Sequence, residues 1–243
     1  MAGTSTSAYL ANTESVRSYS TTFQLDEDPV SEGGIWVNGK KDGIDWIDII
    51  ARNGVAYGAV SRMGAAERRV EQGNLDPDAA AAGAAPEGDY DDPTAVLAGP
   101  WGRNQHGAAR VFSRNQTEEY FQEVEIRLRS TIKEHYCTGY EVFFRCLKNE
   151  NAYAEIARWN GKRGDFTSLA KHVGPEFGVE EGDLIEGRIV GNLITGYING
   201  TQVIEASDDM FAEGSPGIGF NFGVGDTNTD HGLTYFAVNT WNE

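Results

Sequence analysis

Hydrophobic and polar positions along this chain alternate in short runs and nowhere hold the 3.6-residue period of a long amphipathic helix. The stretch YFQEVEIRLRST, residues 120–131, shows the pattern most clearly. On a β-strand Tyr120, Gln122, Val124, Ile126 and Leu128 point one way, and Phe121, Glu123, Glu125, Arg127 and Arg129 the other. One face is mostly apolar. The other is a row of two acids and two bases, which reads as the solvated side of a sheet. Further strands are predicted over residues 95–97, 108–112, 140–147, 152–158 and 167–171, with 18–25 as a first strand. Gly191-Asn192 and Asn199-Gly200 are hairpin turn pairs that bracket a strand at Leu193–Ile198, so 186–205 reads as a three-stranded meander. SPGIGFNFG and LTYFAVNTW supply two more strands. Many short antiparallel strands with Gly, Asn and Asp turns predict a β-sandwich.

Composition sets the boundaries of this picture. The chain has 243 residues, 30 Gly, 7 Pro and 40% hydrophobic residues, enough for one large β domain. Residues 1–22, rich in Ser, Thr and Ala, read as an N-terminal arm. Residues 23–243 read as a single domain, interrupted by an inserted Ala/Gly/Asp-rich loop over 62–92. A formal charge of −17 opposes binding to nucleic acid and to anionic membranes. No apolar run reaches the ~18 residues of a membrane span. The opening residues lack the basic start and apolar core of a signal peptide, so cytoplasmic synthesis without a secretory signal is expected, the final location staying open between a virion and a cell surface. Cys137 and Cys146 flank an extended stretch, which holds their Cα atoms roughly 25–30 Å apart. A disulfide spans at most about 7 Å, so both are expected as free thiols.

The order GYEVFFRC, YAEIARWNG, GDLIEGRIVGNLITGYINGTQVIEASDDMFAEGSPGIGF and LTYFAVNTW resembles the C-terminal half of concanavalin A-like jelly rolls. That superfamily includes laminin G-like modules, legume-type lectins and many polysaccharide hydrolases and lyases. The resemblance rests on Asn199, Gly200, Asp208 or Asp209, Phe211, Gly214, Pro216, Gly217 and Gly219, and covers roughly residues 95–243. It implies the jelly-roll fold and leaves function open, because the fold carries lectins, enzymes and structural proteins alike.

Four constellations are candidates for chemistry. Glu123 and Glu125 have Cα atoms roughly 6.5–7 Å apart on one strand face, a spacing compatible with retaining or inverting glycoside hydrolysis. Hydrolases of this fold carry a pattern like E-x-D-x-x-E. This sequence lacks the aspartate, and Arg127 and Arg129 follow instead. Guanidinium groups lower a carboxylate's pKa, the opposite of what a general acid needs, so an ion-pair ladder extended by Glu141, Arg145 and Glu155 is the expected arrangement. A lyase would use Arg127, Arg129 and Arg145 to neutralise a uronate, with His135, His106 or Tyr140 as base. EIRLRS and NQH only loosely echo the motifs of such lyases. In RWNGKRGDF, Trp159 and Asn160 could meet a sugar ring and its hydroxyls or form a packed hairpin corner, and Trp36 and Trp46 pose the same alternative. Asp226, Asn228 and Asp230 have the alternating spacing of oxygen ligands in a calcium loop, without the Gly and Glu of an EF-hand.

The resulting expectation is a concanavalin A-like jelly roll of non-catalytic character, lectin-like or structural. Its concave sheet, carrying Glu123, Glu125, Arg127, Arg129 and Arg145, would contact carbohydrate or other protein subunits in an oligomer or a particle assembly such as a virion surface. The alternative is a polysaccharide hydrolase or lyase using Glu123, Glu125 and Arg127. No cofactor is expected beyond Ca²⁺ at Asp226, Asn228 and Asp230.

Overall fold

The computed structural model describes residues 17–39, 46–59, 90–133, 136–162, 164–223 and 228–242. Most of the expected arm, most of the 62–92 loop, His135 and Asp226 lie outside the described residues. The first strands in chain order are β1 (Arg17–Thr21), β2 (Trp36–Asn38), β3 (Ile49–Arg52), β4 (Val55–Gly58), β5 (Tyr90–Asp91), β6 (Thr94–Leu97), β7 (Asn104–Ser113) and β8 (Gln122–Lys133). There follow β9 (Tyr136–Arg145), β10 (Tyr153–Gly161), β11 (Phe166–Val173), β12 (Leu184–Val190), β13 (Leu193–Ile198), β14 (Thr201–Ser207), β15 (Ser215–Gly223) and β16 (His231–Trp241). The single helical turn among the described residues is a 3₁₀ segment at Pro175–Phe177.

The strands form two antiparallel sheets packed as a jelly-roll sandwich. One runs β14-β13-β12-β7-β16-β4-β3, with β1 also paired to β16. The other runs β11-β10-β9-β8-β15-β6-β2, with β5 also paired to β15. The expected meander is β12 to β14. Asn199 and Gly200 both have positive φ, 51° and 77°, as a type I′ hairpin turn requires. The side chain of Asn199 also caps the neighbouring loop, accepting from Leu184 N at 2.9 Å and donating to Asp183 at 2.7 Å.

Val124, Ile126 and Leu128 of β8, Tyr140, Val142 and Phe144 of β9, and Ala154 and Ile156 of β10 face the interior and are fully buried. They meet Ala109, Val111, Ile185, Ile189, Ile194, Phe236 and Val238 from the other sheet. At the centre of that contact Gly107, Gly187 and Gly196 lie side by side on β7, β12 and β13. A Cβ at Gly187 would stand 2.9 Å from Ile126 Cγ2, one at Gly107 2.8 Å from the same atom, and one at Gly196 2.7 Å from Val142 Cγ1. The three missing side chains let Ile126 and Val142 press against the opposing backbone. Both free cysteines are buried, and burial pushes each thiol up to about 12, so neither is a reactive thiolate.

This row generates a stability prediction. Gly187→Ala overpacks the contact and is expected to cost roughly 1–3 kcal/mol in urea unfolding. Ile126→Ala alone is expected to cost roughly 2–5 kcal/mol. The double variant should lose clearly less than the sum of the two, because the alanine lacks the Cγ2 against which the added methyl would press. Simple additivity would show that the sheets do not meet at this point.

Candidate functional site

The charged row of β8 continues across three strands by register. Glu123 pairs with Arg145 and Arg127 with Glu141 on β9, and Glu155 of β10 stands beside Phe143. The expected ion-pair ladder is present only in part, through Arg127 with Glu125 and Glu141, while Glu155 pairs with Lys171, and its setting is not the expected one. Glu123, Glu125, Arg127, Glu141, Arg145 and Glu155 are all buried, with Glu125 at 0% and Arg127 at 1% exposure. The solvated face read from the alternation is wrong: from Gln122 to Ser130 both faces of β8 are dry.

Arg127 sits at the centre. Its Nη2 lies 3.0 Å from Asp92, 3.0 Å from Glu125 Oε2 and 2.8 Å from Thr94 Oγ1, and its Nη1 lies 3.5 Å from Glu141. Two indoles enclose it, with the guanidinium carbon 5.2 Å from the Trp46 ring and 5.8 Å from the Trp159 ring. Those rings meet edge to face at 4.4 Å, and Trp159 Nε1 donates to Glu141. On the adjoining β15, Gly219 leaves the necessary space, since a Cβ there would fall 2.0 Å from Glu125 Oε2. A second group lies alongside: the Tyr153 hydroxyl donates to Glu123, Arg145 donates to Tyr120 O at 2.8 Å, and Lys171 bridges to Glu155 at 2.7 Å.

Three carboxylates around one guanidinium cannot all stay ionised in a dry site. Among the described residues no fixed donor with hydrogen-bond geometry reaches either Glu125 oxygen, and Glu125 adjoins Glu141. Burial, then the Glu141 charge, hold Glu125 well above the usual carboxylate range against the pull of Arg127. Its carboxyl is therefore biased toward the protonated form beside Glu141. Burial likewise raises Glu123 to about 8, the Tyr153 hydrogen bond only partly opposing it. The expectation that the arginines would lower these pKa values is corrected here. Desolvation outweighs the nearby charge.

Arg129 does not belong to the row. The ladder slips between Leu128 and Thr131, Arg129 takes a left-handed φ of 48°, and its side chain leaves the face. Its Nε donates to Arg103 O, Nη1 to Phe211 O and Nη2 to Gly191 O, at 2.7–3.0 Å. The lyase base candidates are separated from the arginine row as well. His106 is on the other sheet, 2.7 Å from Glu186. Tyr140 faces the interior, where its hydroxyl donates to Asp208 at 2.7 Å and accepts from Phe211 N at 3.0 Å.

Of the two readings of the tryptophans, packing holds for all three. Trp36 is in the main core, and Trp46 and Trp159 lie together with Cys137. Asn160 is engaged within its own hairpin, receiving from Arg158 Nε at 3.0 Å and donating to Asp165 at 3.0 Å. Beside them, however, are two exposed aromatics that the sequence reading passed over. Phe166, opposite Trp159 on β11, is 48% exposed, and Tyr136, whose ring lies where a Gly161 side chain would stand, is 40% exposed. In the candidate calcium loop, Asn228 donates to Gly58 O at 2.6 Å and Asp230 accepts from Asn115 at 3.4 Å.

The pKa pattern predicts an unusual pH profile of stability. Glu123, raised from 4.5 to about 8, stabilises the fold fully below 4.5 and loses that contribution as pH rises through 8. His231, buried between Phe220 and Phe222, is lowered from 6.5 to about 3, so its contribution is lost as pH falls below 6.5. Stability should therefore peak near pH 5–6 and fall toward pH 8. Chemical unfolding of Glu123→Gln should show a shallower alkaline decline, by on the order of 3 kcal/mol between pH 5 and 8. Parallel profiles for the two proteins would contradict it.

No protein-family model matches this chain. No curated protein matches it either. Solved structures do. The CBM2 module of the evolved Dit of Lactobacillus casei BL23 phage J-1 superposes with a TM-score of 0.55 at 10% identity, covering 93% of this chain and 95% of that one. A structure from work on endo-acting O-glycanases of the human gut microbiota, which initiate mucin breakdown, gives 0.54 at 10% identity over 92% and 99%. The endo-β-1,3-glucanase of Pyrococcus furiosus gives 0.51 at 13% identity over 92% and 93%. At such identities the likeness is one of fold, and at that level it agrees with the concanavalin A-like resemblance: this chain is a jelly-roll β-sandwich.

Proposed function

We propose that this protein is a non-catalytic carbohydrate-binding sandwich. It meets its ligand on the outer face at the ends of β9, β10 and β11, where Tyr136 and Phe166 present exposed rings on either side of buried Trp159. The observation that carries this reading is the position of Arg127. It follows Glu125 on the same strand face and is held by Asp92, Glu125 and Glu141 in a dry cluster, while position 128, where the E-x-D-x-x-E pattern would end in an acid, is a core leucine, Leu128. A carboxyl sealed in that way reaches no glycosidic bond. Flat apolar rings bordered by polar groups suit a sugar face, and Lys133, with its Nζ 5.9 Å from the Tyr136 ring, adds a donor at the rim. Support of a general kind comes from fold neighbours that include the CBM2 module of a phage Dit and enzymes named for glycans. A role within a surface or particle assembly fits the same reading, one of those neighbours being a phage protein.

A hydrolase reading has one observation in its favour, the raised pKa of Glu123 beside Tyr153, as a general acid needs. A glycan array followed by reducing-sugar assays on β-1,3-glucan and mucin O-glycans separates the two. Binding without release of reducing ends is expected, with Tyr136→Ala and Phe166→Ala each weakening it about tenfold, or ~1.4 kcal/mol. Reducing ends released by the native chain and abolished in Glu123→Gln would establish the enzyme instead.

A further inference from the structure

The face that Arg129 abandons is one observation, and the place it goes to is another. Its guanidinium lines a cavity of about 490 Å³ together with Arg103, Asn104, Asn192, Asp209 and Asn242. Arg129 is only 4% exposed, and among the described residues no carboxylate pairs with it. Its three hydrogen bonds all go to backbone carbonyls, those of Arg103, Phe211 and Gly191. Five N–H hydrogens with three in use leave two, one on each terminal nitrogen. A buried cation without a counter-charge is costly, and a non-glycine residue held at positive φ adds to that cost. Burial pushes the Arg129 pKa down, and the neighbouring Arg103 charge acts in the same direction.

The amides of the cavity are oriented consistently. Asn104 Oδ1 accepts from Gly191 N at 2.9 Å and Asn242 Oδ1 accepts from Arg103 N at 2.8 Å. Those bonds identify each oxygen, so the Nδ2 groups are the donors left over. The wall thus offers two guanidinium groups and two amide donors against one carboxylate, Asp209, on a chain whose net charge is −17. Such a local reversal of sign is the mark of a site for an anion. A single excess positive charge matches a monoanion better than a phosphate, the paired N–H groups of arginine match a carboxylate, and Asp209 is an acceptor for hydroxyl groups. We propose that this cavity binds the carboxylate of an acidic sugar unit, with its hydroxyls directed to Asp209. The site is built from residues other than those of the aromatic edge, so the two readings stand or fall separately.

The test is a ¹H–¹⁵N NMR titration of the full chain at pH 7 and constant ionic strength with D-glucuronate, D-glucose and inorganic phosphate. Glucuronate should shift the amides of Gly191 and Arg103, glucose should shift neither over the same range, and phosphate should bind at least tenfold more weakly. Arg103→Glu, at an exposed position, should weaken glucuronate binding at least tenfold while keeping a dispersed spectrum. Asn192→Asp, in a turn that tolerates aspartate, should weaken it in the same direction. The proposal is overturned by no response to glucuronate, by equal responses to glucose, by phosphate binding as tightly as glucuronate, or by variants that bind like the native chain.

Discussion

The structure turns on one constraint: an arginine with almost no water contact must be neutralised where it lies. Arg127 meets that constraint with Asp92, Glu125 and Glu141, and each of those acids comes from a different strand or its flank. Sheet register is what brings them together, because Arg127 and Glu141 are cross-strand partners and Glu125 precedes Arg127 on the same face. The cluster carries more acid than base, so a proton must stay on one carboxyl, and Glu125 is the one most fully deprived of donors. Breaking any single partner would leave a buried charge exposed to its neighbours without compensation, which is far costlier than losing a surface ion pair.

The remaining architecture serves that cluster from both sides. Behind it, the row Gly107, Gly187 and Gly196 lets the second sheet close on Ile126 and Val142, fixing the strands whose outward side chains form the network. In front of it, Trp46 and Trp159 complete the apolar surround and lower the local dielectric. The bulge after Leu128 ends the row and redirects Arg129 to tie three loops at the sandwich end. One strand therefore contributes to two sites of opposite character, an acid-rich buried cluster and a donor-rich cavity.

Much of the fold was legible in the residues. Alternation marked the strands, and Asn199-Gly200 marked a turn that only positive φ can make. The strand Leu193–Ile198 has the limits its two turn pairs imply. What alternation could not convey was burial of the charged face, because a row of Glu and Arg has the same pattern whether water or Trp46 lies over it. A signal was nonetheless present in GIGF: Gly219 on the neighbouring strand has no side chain where Glu125 needs room. The slip at Arg129 left no mark in composition, since a bulge replaces one polar residue's direction without changing its identity. Tyr136 and Phe166 were passed over because an exposed ring and a buried one look alike in sequence, and only the packing of Trp159 against Trp46 distinguishes them.

The glutamates of β8 are sealed from water, with carboxyl pKa values raised by burial, rather than ionised in an open cleft. The most direct measurement is the titration of the side-chain carboxyl ¹³C resonances of Glu123 and Glu125 in uniformly labelled protein. The account predicts that Glu123 titrates near 8 and that Glu125 keeps its proton well above the ordinary value of 4.5. If both carboxyls ionise near 4.5, the face is open to water, and the closed cluster and the non-catalytic reading built on it fail together.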